Sequence, residues 1–194
     1  MLKIGITGGI GSGKTTVCRL FEIMGVPVYY SDEVSKELLR SDAEVKAFVI
    51  NAFGDTIIDQ HGAVDRKKLA AIVFNNKFEL DKLNAILHPA VALHFVNWLT
   101  KQTSDYILKE TAILFESGAY KNLDQVIAVV APLELKISRS IKRDGVSKDA
   151  ILARIQNQLN DEEKIKRSSF VIYNDEAQLL MPQVLMIHQQ LVNK

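Results

Sequence analysis

The segment Gly8-Gly9-Ile10-Gly11-Ser12-Gly13-Lys14-Thr15 constrains this chain more than any other part of it. It matches every specified position of G-x-x-x-x-G-K-[ST], the phosphate-binding P-loop. The flanks agree. Leu2 to Thr7 is short, rich in Ile and bounded by glycine, which predicts a strand. Val17, Leu20, Phe21 and Met24 then recur at i, i+3, i+4 and i+7, an apolar helical face, and Gly25 stands where a helix commonly ends. Pro27 to Tyr30 reads as a second strand. Strand, glycine loop, helix and strand make one parallel βαβ unit. In that setting glycines let backbone N–H groups turn toward phosphate oxygens, and the helix N-terminus adds partial positive charge. Gly9, Gly11, Ser12, Gly13, Lys14, Thr15 and Thr16 are the expected phosphate-binding residues. Lys14 can reach β- and γ-phosphates, and the Thr15 hydroxyl can ligate Mg²⁺. The competing reading is an ordinary glycine turn with a capping threonine.

Composition narrows the class. The chain has 194 residues, 47% hydrophobic and 24% charged, which suits one compact α/β or α-rich domain. Lys+Arg is 24 and Asp+Glu is 23, so no strong global field draws the chain to nucleic acid or an acidic membrane. Cys18 is the only cysteine, so no intrachain disulfide forms, and His61, His88, His94 and His188 are too scattered for a structural zinc site. A reducing compartment, the cytoplasm, is expected. No run approaches the ~20 apolar residues of a membrane span. Met1 to Ile6 runs straight into Thr7-Gly8-Gly9, leaving no room for a secretory apolar region. Oligomeric state has no signature in the sequence.

Residues 33–100 read as helical pieces that interrupt the strand–helix alternation. Asp42 caps a helix carrying Val45, Phe48, Val49, Ala52 and Phe53 on one face, and Asp65 caps one with Leu69, Ile72 and Val73. A third, with Leu80, Leu83, Ile86 and Leu87, is expected to be interrupted at His88-Pro89, with Val91, Phe95, Trp98 and Leu99 beyond. Alternation resumes with strands at Tyr106–Thr111, Gln125–Ala131 and Phe170–Tyr173. Pro132 and Ser147 open further helices, Asp161 to Arg167 reads as a solvated charged helix, and the last helix carries Val184 and Leu191. Cys18 is read as packing.

Several residues carry chemistry. Asp32 follows the second strand, where ligands of open α/β sheets sit; it faces a phosphate acceptor or simply caps the next helix. Arg139 and Arg143 are i, i+4 on one helix face, with Lys142 beside them, and form either a polyphosphate clamp or a solvated face. Glu110 and Glu116 lie near the end of a predicted strand, as a Mg²⁺ ligand or in salt bridges. His88-Pro89 is an acceptor-site element or a helix break.

Ile4 to Thr16 resembles the P-loop of dephospho-CoA kinases. Ser31-Asp32, Asp65-Arg66 with Leu69, Val73-Phe74, Leu87-His88-Pro89, Ile113-Leu114-Phe115-Glu116, Arg139 with Arg143-Asp144, Arg154-Ile155 with Gln158, and Val171-Ile172 with Asn174 follow in that family's order. The resemblance covers nearly the whole chain. It implies a P-loop NTPase fold: a parallel five-stranded sheet flanked by helices, nucleoside-monophosphate-kinase-like, as a single domain over residues 1–194. The core would span about 1–32 and 105–194, a helical CoA-binding insertion about 33–104, and a mobile lid about 139–165. The implied activity is transfer of the ATP γ-phosphoryl group to the ribose 3′-hydroxyl of dephospho-CoA, with Mg²⁺, to complete coenzyme A. Asp32 matches the family's catalytic base, and Arg139 and Arg143 its lid arginines, with Lys14 in the catalytic set. Asp32, Arg66 and His88 match acceptor-binding positions. Three departures stand out: Tyr30-Ser31-Asp32 replaces Asp-Ala-Asp, Ala112-Ile113-Leu114 replaces Pro-Leu-Leu, and Ser168-Ser169 replaces Ala-Asp.

Two other functions have some footing in the residues. Asp59-Gln60-His61-Gly62 fits the GTPase pattern D-x-x-G, and Asn76-Lys77-Phe78-Glu79 nearly fits N-K-x-D. They lie too close together in a helical block to sit on separate parallel strands, and they read as chance. A kinase of the same fold acting on another hydroxyl acceptor is the other.

Overall fold

The strand predicted ahead of the glycine loop is the centre of the sheet. The computed structural model describes residues 1–73 and 76–193; Phe74, one of the family-order residues, lies outside them. β1 (Leu2–Thr7), β2 (Val28–Tyr30), β3 (Tyr106–Glu110), β4 (Gln125–Val130) and β5 (Phe170–Tyr173) form one parallel sheet in the order β2-β3-β1-β4-β5. This is the five-stranded parallel sheet the resemblance implied. Flanked on both edges, β1 has Ile4 and Ile6 fully buried. Its register sets Ile6 beside Glu110 and Thr7 beside Ala128, so the carboxyl ends of three strands meet at the loop.

Residues Met1–Tyr30 and the chain from Gln102 onward form one compact unit, and Ser31–Lys101 form another. In the first, α1 (Lys14–Ile23) buries Val17, Cys18 and Phe21 against the sheet, and α9 (Leu180–Val192) adds Val184, Ile187 and Leu191. Pro182 sits in the first turn of α9, where a missing N–H has no intrahelical acceptor to lose. Between β4 and β5 run α6 (Leu133–Asp144), α7 (Lys148–Gln156) and α8 (Asp161–Lys166). Ser147 and Asn160 cap α7 and α8 through their side chains.

In the second unit, α2 (Ser31–Ser41), α3 (Ala43–Phe53), α4 (Arg66–Val73) and α5 (Lys77–Leu99) pack together. Asp42 and Asp65 accept first-turn N–H groups of α3 and α4, as expected. Phe48 departs from its expected face and is exposed, because only Val45 and Val49 of α3 turn inward. The expected break at His88-Pro89 does not occur: α5 is one helix of 23 residues with Pro89 inside it. Leu83, Leu87, Val91 and Phe95, spaced by four, are all buried, so one apolar stripe crosses the proline. Burial of four large side chains at roughly 1.5–3 kcal/mol each outweighs a penalty of ~3 kcal/mol for an interior proline. The GTPase-like tetrapeptides have local explanations. The Asp59 carboxylate accepts the His61 and Ala63 N–H groups in a turn with Gly62 at φ 75°, and Asn76 is the N-cap of α5.

The reading of residues 161–167 as solvated is corrected. Lys164 is fully buried, and its Nζ lies 3.5 Å from Glu116 Oε1 without hydrogen-bond geometry. Lys136, also buried, bonds Asp161 at 2.8 Å. Hydrophobic periodicity is blind to such pairs, because a six-residue helix has no stripe to read. Desolvation holds the Lys164 ammonium below its ordinary range, against the pull of Glu116. Glu116→Gln should strand this cation and destabilise the fold by about 3 kcal/mol, and Lys164→Met added to it should recover most of that. Because the folded amine releases its proton below its ordinary 10.5, the deficit should shrink as pH rises toward that value. Urea unfolding of the three proteins at two pH values checks both points.

Candidate active site

The loop between β1 and α1 is shaped from behind. A side chain placed on Gly11 (φ 73°) would begin 2.2 Å from the Lys136 carbonyl oxygen and 2.6 Å from Ser140 Oγ. One on Gly13 (φ 91°) would begin 2.0 Å from Asn174 Nδ2. Both positions need positive φ and closeness to other chain, so only glycine fits. Asn174 follows β5 and donates from Nδ2 to the Ser12 carbonyl at 2.8 Å. Gln158, after α7, accepts the Ile10 N–H at 2.9 Å. The loop is therefore fixed by residues more than 120 positions away.

At its front the loop leads into the N-terminus of α1. First-turn N–H groups have no intrahelical acceptor, and Gly13 supplies no capping side chain. Lys14 Nζ lies back over the loop, donating to the Gly8 carbonyl at 3.0 Å, with Glu110 Oε1 at 3.9 Å. Thr15 and Thr16 are exposed on the first turn, and Ser12 is buried. An uncapped helix N-terminus and an ammonium on one glycine loop are an arrangement that suits an anion such as a polyphosphate.

The two acids near β3 separate. Glu110 faces Lys14 at the loop, whereas Glu116 accepts the Leu159 N–H at 2.7 Å and pairs with Lys164. Arg139 and Arg143 do not form a single clamp here. Arg139 donates to the Asn174 carbonyl and to Glu176, and Arg143 bonds Asp144, which also holds Arg154. That mutual pairing pushes the Arg143 guanidinium up and holds the Asp144 carboxyl below its usual range. Burial pushes the Cys18 thiol up, so it is the inert packing residue expected.

In the second unit, Asp32 is the second residue of α2, in its acidic first turn, rather than ahead of the helix. Arg66 opens α4 and lines an open cleft of about 330 Å³ with Lys36 and Arg40 of α2. His88 is exposed on α5, its imidazole held below the usual range by the protein packed around it.

The sequence model of the dephospho-CoA kinase family matches residues 2–179. A dephospho-CoA kinase of Bacteroides fragilis is 43% identical over 185 residues, 95% of this chain and 90% of that one. The chain belongs to the dephospho-CoA kinase family. A crystal structure of a Thermus thermophilus protein superposes with a TM-score of 0.88 at 31% identity, covering 97% of this chain and 96% of that one. A dephospho-CoA kinase from Campylobacter jejuni gives 0.70 at 28% identity, over 98% and 97%. The family's reaction, ATP-dependent phosphorylation of dephospho-CoA in the final step of coenzyme A biosynthesis, is the activity of this P-loop kinase.

Sequence reasoning missed Lys136, Ser140 and Asp161 as parts of the loop's surroundings. It noted Gln158 and Asn174 only for their place in the family's order. No local signal marks Lys136; its spacing of four from Ser140 on one helix face becomes informative only once Gly11 is known to press there. The crowding separates two glycine substitutions. Gly11→Ala should destabilise by more than about 2 kcal/mol, since both φ and a backbone oxygen oppose it. Gly145→Ala (φ 66°, no atom within 4 Å) should lose only about 1 kcal/mol. Denaturant titration of both variants measures the difference, and equal losses would mean that α6 yields freely to the loop.

Proposed function

We propose that the loop residues Gly9 to Thr16 bind the ATP phosphates while Asp32, Arg66 and His88 engage dephospho-CoA. The observation that carries this reading is the glycine loop leading into the uncapped N-terminus of α1, with Lys14 folded back over it. On binding, Lys14 exchanges the Gly8 carbonyl for β- and γ-phosphate oxygens, and Glu110 remains beside it as counter-ion. Arg139 and Arg143 reach the phosphates from α6. Arg143 can leave Asp144 without stranding it, because Arg154 stays paired with the same carboxylate.

The residues present suit Mg²⁺. It prefers hard oxygen ligands, keeps several waters and takes one or two protein oxygens together with substrate phosphates. The exposed Thr15 hydroxyl is such a ligand, and among the described residues no group of three or more His, Cys, Asp or Glu forms a protein cage. Held by Thr15, a Mg²⁺ ion would supply neutralisation of the negative charge on the ATP phosphates.

The helical unit, residues 31–101, is the acceptor-binding part, and the segment from about 139 to 165 is the lid. The acceptor hydroxyl is a weak nucleophile that loses its proton during transfer. A carboxylate can orient it and accept that proton, which is the role given to Asp32. Among the described residues no helix is long and apolar enough to cross a membrane. A reducing cytoplasm suits a chain whose single cysteine is buried.

Asp32→Asn tests the role directly. Asn keeps the shape and gives up only a first-turn charge worth about 0.3–1 kcal/mol. The melting temperature and ATP affinity should therefore hold, while kcat falls roughly 10²–10⁴-fold. A variant within a few-fold of wild type would leave Asp32 a helix-terminal residue only.

A further inference from the structure

The Ile10 N–H donates to Gln158 Oε1 at 2.9 Å, so one backbone donor of the loop is already spent. A carboxamide has two ends. With its oxygen on Ile10, Gln158 has Nε2 left over, carrying two N–H donors that meet no protein acceptor among the described residues. The hydrogen bond thus replaces a main-chain donor with a side-chain one beside the phosphate loop.

Gln158 is firmly placed. Its own N–H donates to the Ile155 carbonyl at 3.0 Å. The next residue, Leu159, donates its N–H to Glu116 at 2.7 Å, and Asn160 caps α8. Asp161 is tied to Lys136 at 2.8 Å, and both side chains lie within 3.6 Å of where a side chain on Gly9 would begin. The turn from 157 to 161 is fastened to Ile10 and lies close to Gly9, which is what a preorganised donor requires.

The same residues mark which phosphate it meets. A P-loop lysine serves the β- and γ-phosphates, and Lys14 Nζ here bonds the Gly8 carbonyl at 3.0 Å and approaches that of Gly9 at 3.5 Å. The distal end of the triphosphate therefore belongs beside residues 8–10, within reach of Gln158. We propose that Gln158 is a catalytic residue whose side-chain amide donates to an equatorial oxygen of the ATP γ-phosphoryl group while its oxygen stays on Ile10. This rests on the loop being the ATP site. Charge spreads over the three equatorial oxygens during transfer, so a fixed donor there favours the transition state.

Two variants test it, Gln158→Glu and Gln158→Met, each measured for Mg-ATP and Mg-ADP affinity by calorimetry and for kcat with dephospho-CoA. Glu keeps an acceptor for Ile10 but sets an anionic oxygen where the amide stood. Met keeps the size and removes both functions. Both should bind ATP about 10-fold or more weakly and lose at least as much in kcat, with ADP affinity within about twofold of wild type. Gln158→Glu behaving as wild type would overturn the proposal, leaving a brace for the loop. Parallel losses for ATP and ADP would overturn it too, since they report a distorted loop. Should Gln158→Glu fail to fold, the ATP–ADP split in Gln158→Met decides by the same criterion. A wild-type protein with no ATP affinity overturns the nucleotide reading itself, whereas wild-type binding and turnover with no ATP–ADP split in the variants overturns the Gln158 assignment alone.

Discussion

The approach of Gly11 to the Lys136 carbonyl and of Gly13 to the Asn174 carboxamide is the constraint on which the rest depends. At both points the distance to a would-be side chain is 2.2 Å or less, and both residues have positive φ. The loop can hold its curve only because α6 and the chain beyond β5 fill the space behind it. Their placement in turn requires the parallel sheet, since β4 delivers the chain to Pro132 and β5 delivers it to Asn174. The curve of the loop thus emerges from sheet topology together with two missing Cβ atoms.

The segment from α6 to α8 is bound into the same arrangement by charge. Lys136 and Lys164 are buried cations in the unit that carries the glycine loop, and each is held by an acid that also orders backbone or begins a helix. Buried pairs of this kind contribute little net stability. What they do here is fix position: Glu116 holds the Leu159 N–H, and Asp161 starts α8 against Lys136, so Gln158 arrives at Ile10 with few degrees of freedom. Exposed pairs such as Arg143 with Asp144 differ, because they can be exchanged for other partners at little cost.

Much of this was legible in the sequence, for reasons that can be named. The loop is local: eight consecutive residues specify strand exit, turn and helix entry, and Glu110 sits one strand away by register. Caps at Asp42, Asp65 and Ser147 are equally local, one side chain satisfying N–H groups two or three residues on. What failed was non-local. Pro89 reads as a break until Leu87 and Val91 are seen buried on the same stripe. The 161–167 run reads as solvated until Lys164 is found against Glu116, 48 positions earlier. Gln158 had no readable role, since its partner is a backbone N–H near the other end of the chain.

The most direct test is the reaction's product. Purified protein given Mg-ATP and dephospho-CoA should form one new phosphomonoester on the ribose 3′-hydroxyl, seen by phosphorus NMR, with ADP released in equal amount. Conversion of ATP to ADP and free phosphate with dephospho-CoA unchanged would contradict the account, as would phosphate appearing at another hydroxyl.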